Sequence, residues 1–273
     1  MPISRHDGRQ THESRPPKIT FEALSRVDGS ARFSFGSTGP SALSSVSGPI
    51  EVRLAAENAS QATFDVLVRP LSNVPATEAK ALGAAVKGLL APSLILWQNP
   101  RTMVQVVAQA MTATVSAGPG LGDGLVAAII NASTLAILNA GSMPMQGVVC
   151  AVAVGRRRGD RLLIVDPDEK EEAVGKVLDI HGCFAFMFAG KEHTGKKESR
   201  GRCVWTNWRT VVKGGDVFDE KVLREARNLA AEAAERVYAA IFRSLSGDKN
   251  EIKEDVIERE DRDSEDDDDK MEI

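Results

Sequence analysis

Cysteine, histidine and aromatic side chains are scarce in this chain of 273 residues, and each scarcity closes off a class of chemistry. Three cysteines (Cys150, Cys183 and Cys203), an odd number without CxxC spacing, argue against a disulfide framework or a zinc site. They fit a reducing compartment inside the cell. The four histidines, His6, His12, His181 and His193, show no metal-ligand spacing, so neither a metal nor a cofactor is expected. One Tyr, and three Trp that fall within apparent structural elements, leave little for stacking on bases, so any RNA contact should be made to phosphates. No run approaches the roughly 18 apolar residues of a membrane span, and "MPISRHDGRQ" lacks the apolar core of a signal peptide. No membrane association is expected. No Ser/His/Asp or Cys/His pattern offers a nucleophile.

What is present is an uneven charge distribution. The net charge of −4 combines a C-terminal stretch, Asp248 to Ile273, with 14 acidic and 5 basic residues and a body that is net +5. A mildly basic body suits contact with a polyanion, and the acidic tail suits solvation. Residues 246–273 hold too few apolar side chains to bury and are expected to be disordered.

Alternation at period two marks strands in "ITFEA", "ARFSFG", "ALSSV", "IEVRLA" and "ATFDVLVRP", separated by turn residues. From Thr77 to Met111 the spacing reads as helical. Leu82, Ala85, Val86, Leu89 and Leu90 share one face, then Val104, Val107, Ala108 and Met111 another, with breaks at Pro92 and Pro100. Residues 125–139 are apolar nearly all round, as a buried helix would be. Four strand-like runs follow ("GVVCAVAVG", "RLLIVDP", "CFAFMFAG", "RCVWTNWRTVV"). A final helix, capped by Asp216 or Asp219, carries Val222, Ala226, Leu229, Ala233, Val237 and Ile241 as its core stripe. Strands and then helices, twice over, indicate an α+β sandwich rather than a doubly wound sheet.

Four features invite a functional reading. "GPGLGDGLVAAII" (118–130) is a glycine-rich turn opening a helix, the geometry that cradles phosphate elsewhere, but it is neither GxGxxG nor a P-loop and reads equally as a plain turn. "GRRRGDR" (155–161) should crowd Arg156, Arg157, Arg158 and Arg161 at a hairpin tip, and "GKEHTGKKESRGR" (190–202) forms a second basic loop. Both are RNA-binding candidates, with solvated charge as the alternative. "VDPDEKEE" (165–172) is a metal-like acidic cluster or an acidic turn.

Read in order, a longer set of residues resembles the RNase PH family. Asp7-Gly8-Arg9, Glu13, Arg15-Pro16, Asp28-Gly29-Ser30-Ala31, Gly48-Pro49, "NPRT" (99–102) and "LVAAIINAS" (125–133) match its opening motifs, helix connection and post-loop helix. The likeness covers residues 5–245. It implies an RNase PH-like fold over 19–245, preceded by an extension (1–18) that carries the Asp-Gly-Arg motif.

It also implies a ring subunit of the eukaryotic RNA exosome, with other RNase PH-like ring subunits, S1/KH-type cap subunits and a processive nuclease as partners. RNA would thread the pore, and the protein would reside in nucleus, nucleolus and cytoplasm. In active members a Gly-Gly-Thr-Arg-Thr loop holds the attacking phosphate. Anchored on Ala127-Ala128-Ile129, its arginine position is Leu125, which offers no charge or donor.

The arginines expected before the first long helix are absent from 75–79, where Glu78 has the opposite sign. The family's catalytic aspartate falls on Leu178, with Asp179 one residue away. The resemblance therefore implies an inert scaffold with no catalytic residue; an active phosphate-dependent 3′ exoribonuclease using Asp179 is the alternative. Lys87 and Arg101 fall near the family's substrate pocket and join Arg156, Arg157 and Arg158 as RNA-binding candidates. A solvated helix residue (Lys87) and a structural partner (Arg101) are the competing roles.

Overall fold

The computed structural model describes residues 5, 7–72, 74, 76–113, 121–168, 171, 177–189, 201–210 and 219–246. The glycine-rich stretch 118–120, the 190–200 part of the second basic loop, Asp216 and the tail after Ser246 lie outside them. The chain divides into two units, Met1–Tyr238 and Ala239–Ile273.

The first unit is built on two sheets. β1 (Pro17–Thr20), β2 (Gly29–Phe35), β3 (Ser41–Glu51), β4 (Thr63–Arg69) and β5 (Thr102–Ala110) form a sheet in the order β1-β2-β3-β5-β4. All pairs are antiparallel except β4 and β5, which run parallel because helix α1 (Thr77–Leu90) crosses between them. The second sheet orders β10 (Arg209–Thr210), β8 (Leu178–Ala189), β6 (Gly147–Arg157) and β7 (Leu163–Val165), with β9 (Arg202–Thr206) also paired to β8. The α+β class holds.

Helix α2 (Asp123–Ala140) packs on β2, β3 and β5 of one sheet and on β6 and β8 of the other. A helix covered on both sides has no face to give to water, which is why residues 125–139 show almost no amphipathic pattern. It is long and apolar enough to cross a membrane, yet 83% of that stretch is buried inside the protein, as a core helix is. Its interior polar groups need partners. Asn131 supplies them on one side, donating to the Ala151 carbonyl at 2.9 Å and accepting the Ala151 N–H at 2.7 Å, so α2 is pinned to β6.

Two readings of the sequence change. Thr102–Ala110 is a strand, not a helix: Val104, Val106, Ala108 and Ala110 are buried at period two, and the helical face drawn through Val107 and Met111 was coincidental. "IEVRLA" is no separate strand; β3 runs on through Gly48-Pro49 to Glu51, and Leu54–Ala56 is a 3-10 turn. At Gly48, φ is +139° and a Cβ would come within 2.6 Å of the Met103 carbonyl, so only glycine passes there. Helix α3 (Glu220–Ser246) starts where expected, with Asp219 accepting the Lys221 N–H at 2.9 Å. Ala226, Ala230, Ala233, Ala234 and Val237 form its buried side in the first unit, while Phe242 and Leu245, in the second unit, are exposed.

The Asp-Gly-Arg extension is tied to the first unit by the acidic turn. Arg5 is buried and reaches the carbonyls of Val165 and Asp166 at 2.8 Å each and the Glu171 carboxylate at 2.7 Å. Arg15 grips the Asp166 carboxylate through its backbone N–H and guanidinium, and Arg9 adds a contact at 3.1 Å. Within "VDPDEKEE", Asp166 and Glu171 are therefore counter-ions of the extension, and no metal-ligating group of three or more occurs among the described residues. Replacing Asp166 by Ala removes the buried carboxylate that Arg9 and Arg15 share; the expected loss is about 2–4 kcal/mol of unfolding free energy, read by urea denaturation.

Candidate functional site

The start of α2 carries a carboxylate where water barely reaches. Asp123 is the first residue of the helix and is 1% exposed. A buried, unpaired carboxylate would be prohibitively costly, so donors must converge on it. Three do: Asn207 donates its Nδ2 at 2.8 Å, Arg209 donates Nη1 at 3.0 Å, and His181 presents Nδ1 to the other oxygen. Burial pushes the Asp123 carboxyl up, but His181, Arg209 and Asn207 more than offset it and hold it below the ordinary carboxylate range.

The second sheet delivers these donors. His181 lies on β8 and pairs across to Gly155, and Arg209 on β10 pairs with His181. Asn207 sits in the link between β9 and β10, which presses so closely on β8 that a Cβ at Gly182 would meet Trp208 Cα at 2.7 Å. Asn207 Oδ1 accepts the Cys183 N–H at 2.5 Å, so its amide nitrogen is left to face Asp123.

Beside this cluster opens a cavity of about 330 Å³ lined by Glu78, Ala81, Leu82 and Ala85 of α1, Leu121, Val126, Trp205, Asn207 and Arg209. Leu82 and Ala85, assigned from the sequence to the α1 core face, line its wall, and Ala79, Gly83, Val86, Leu89 and Leu90 take the core. Leu125 is 1% exposed and points into the core, with Val126 lining the cavity instead. Glu78 brings negative charge to the mouth.

The structure separates the five predicted RNA contacts. Arg156 is not at a hairpin tip; it lies on β6, 3% exposed, with a bidentate grip on Asp179 (Nε at 2.9 Å and Nη2 at 2.5 Å). Arg157 pairs with Asp160 at 2.7 Å, and Arg158 alone of the three is exposed, in the turn. Lys87 stands 3.9 Å from Asp65 and lines a different cavity; Arg101 is 71% exposed at the side chain and lies 3.4 Å from Glu57. Neither lines the cavity at α2.

Two further observations concern Asp179 and tryptophan. On β8, Leu178 pairs with Arg157 and His181 with Gly155, two residues apart on β6, so Leu178 and not Asp179 shares the His181 face, and a Cβ at Gly155 would meet Leu178 Cδ1 at 2.7 Å. Asp179 is the residue skipped where the β6/β8 register shifts, a bulge that turns its carboxylate to Arg156. Trp97 is 66% exposed and Trp205 lines the cavity, so aromatic faces are available to a ligand after all. Sequence reasoning missed Asp123, Asn207 and Arg209; the only signal was the carboxylate inside "GLGDGL", which the glycine pattern obscured.

Comparison with known proteins agrees with this fold. The pattern of the 3′ exoribonuclease family, domain 1, matches residues 13–143. An exosome complex component rrp46 of Schizosaccharomyces pombe is 35% identical over 129 residues, which make up 47% of this chain and 53% of the relative. An exosome complex exonuclease RRP46 homolog of Arabidopsis thaliana is 31% identical over 173 residues, 63% of this chain and 67% of that protein. The crystal structure of rice (Oryza sativa) Rrp46 superposes with a TM-score of 0.71 at 22% identity, covering 89% of this chain and all of that one. The chain belongs to the 3′ exoribonuclease (RNase PH) family. Within it, the likeness is to Rrp46-type exosome subunits, although the matched stretch spans about half of the fission-yeast relative.

Replacing Asp123 by Asn should cost about 1–3 kcal/mol at neutral pH, because the charge-assisted bonds to Asp123 are weakened while water still reaches Arg209. A depressed carboxyl stabilises the fold above its unfolded-state pKa, and that stabilisation fades as the pH falls through the folded-state value. The gap between parent and variant should therefore be constant above about pH 5 and close below about pH 4 in denaturation curves.

Proposed function

We propose that this chain is a non-catalytic RNase PH-like subunit of an exosome-type ring, a scaffold for 3′-to-5′ RNA processing and degradation that includes ribosomal RNA maturation. One observation carries the reading: the basic groups at the head of α2 are already bound to an internal carboxylate. Arg209 and His181 hold Asp123. Phosphorolysis needs unneutralised positive charge to seat both the attacking phosphate and the RNA backbone. Here Glu78 and apolar side chains line the remaining wall.

The likeness to exosome components supports ring neighbours of the same fold; the proposal adds S1/KH-type caps, a separate processive nuclease and RNA in the pore as partners, and nucleus, nucleolus and cytoplasm as its places of work. In such a ring the exposed cations Arg158, Lys87 and Arg101 are the candidates for phosphate contacts. A second reading, a phosphate-dependent 3′ exoribonuclease, takes Asp179 as its acid, which would first have to be released from Arg156.

Incubating the purified chain, and its assembly with sister subunits, with tailed RNA and phosphate should release no nucleoside diphosphate above that of an Asp179→Ala control. Release that depends on both phosphate and Asp179 selects the enzyme. For RNA binding, an Arg158→Glu, Lys87→Glu double variant of the assembled ring should keep its fold and lower the slope of affinity against salt by about 2, one for each phosphate no longer neutralised. An unchanged slope removes both residues from the RNA path.

A further inference from the structure

The donors around Asp123 have the form of an oxyanion site. We infer that His181, Asn207 and Arg209 make a seat for a tetrahedral oxyanion, and that the chain fills this seat with the carboxylate of its own Asp123. The inference rests on the proposed loss of catalysis and gives it a physical cause: the anion position is occupied from within. Each donor is fixed in that role. A His181 Nδ1 facing a carboxylate carries the proton, Asn207 has its oxygen committed to the Cys183 N–H, and Arg209 donates always. Two of them meet at one carboxylate oxygen and the third at the other. The two oxygens of a carboxylate stand in for two of the four of a phosphate.

Room and access are present as well. Asn207 and Arg209 line the cavity of about 330 Å³, which would take the remaining oxygens, and the Arg209 side chain is 36% exposed, so the seat opens toward solvent on that side. Glu78 is the other charged side chain along that lining. While Asp123 is ionised, a second anion would meet its like charge at contact distance, which excludes it. With the carboxylate removed, Arg209 is left without its partner and becomes an attractor for any oxyanion of matching size.

The test uses the full chain, with inorganic phosphate and a short oligoadenylate as separate probes to distinguish a free anion from a backbone phosphodiester. Each is compared with chloride at matched ionic strength. The melting temperature of the parent should not respond to either probe. Asp123→Ala should melt lower than the parent and recover by about 2–4 °C once a probe reaches several times its dissociation constant. That recovery should vanish in Asp123→Ala, Arg209→Ala. If Asp123→Ala does not stay folded, the yield on refolding it from urea is the readout, and dependence on phosphate or oligoadenylate supports the seat. A variant indifferent to both probes, or a parent that responds as strongly as the variant, overturns it. No RNA cleavage enters the measurement, so its failure leaves the proposed loss of catalysis standing.

Discussion

A single helix caught between two sheets sets the terms for everything else in the first unit. Because α2 is covered on both sides, its side chains must be apolar, small or privately hydrogen-bonded along nearly the whole length. That demand explains the Ala- and Ile-rich interior and the use of Asn131 as a clip to β6 rather than as a surface residue. It also fixes where polar chemistry can occur. At its N-terminal end α2 emerges next to the second sheet, and there Asp123 meets His181 of β8 and Arg209 of β10.

Arginine in this chain is used mainly inward. Arg5, Arg9 and Arg15 gather on the turn at Asp166 and Glu171, Arg156 closes on Asp179, and Arg209 closes on Asp123. Each guanidinium offers several donors in a fixed plane, which satisfies a buried carboxylate and neighbouring carbonyls at once. Such pairs contribute less to net stability than their number suggests, since desolvation consumes most of the attraction, but breaking one leaves a charge with no solvent. Each such pair cancels within itself, so the net +5 of the body is carried by charges outside these pairs.

The sequence was most legible where one physical demand acted alone. The all-round apolar run at 125–139 has one explanation, a buried helix, and the alternating valines of β4 have one, a half-covered strand. It was least legible where two periods fit the same residues. Val104, Val107, Ala108 and Met111 trace a helical face, Val104, Val106, Ala108 and Ala110 trace a strand, and the pairing with β3 and β4 decides between them. Charges posed a different difficulty. A run of three arginines looks like a basic tip, but a strand sends alternate side chains to opposite faces, and the aspartate that receives Arg156 lies 23 positions away. The same blindness to distant partners hid Asp123, whose three donors come from residues 58 to 86 positions on.

Structure and lost chemistry meet in the same carboxylate. An arginine or a bare glycine turn at the head of α2 would leave His181, Asn207 and Arg209 open to an incoming anion, and the β9–β10 link would be held to the helix only while that anion stayed. With Asp123 in place the link is held permanently, since the counter-charge is covalently part of the helix and pays no entropy of association. Permanence has a consequence for function: a site that must exchange phosphate at every turnover cannot also be its own anion. A subunit whose contribution is to stand in a ring and pass RNA onward has no such exchange to preserve, and for it a permanent internal ion is compatible with the task.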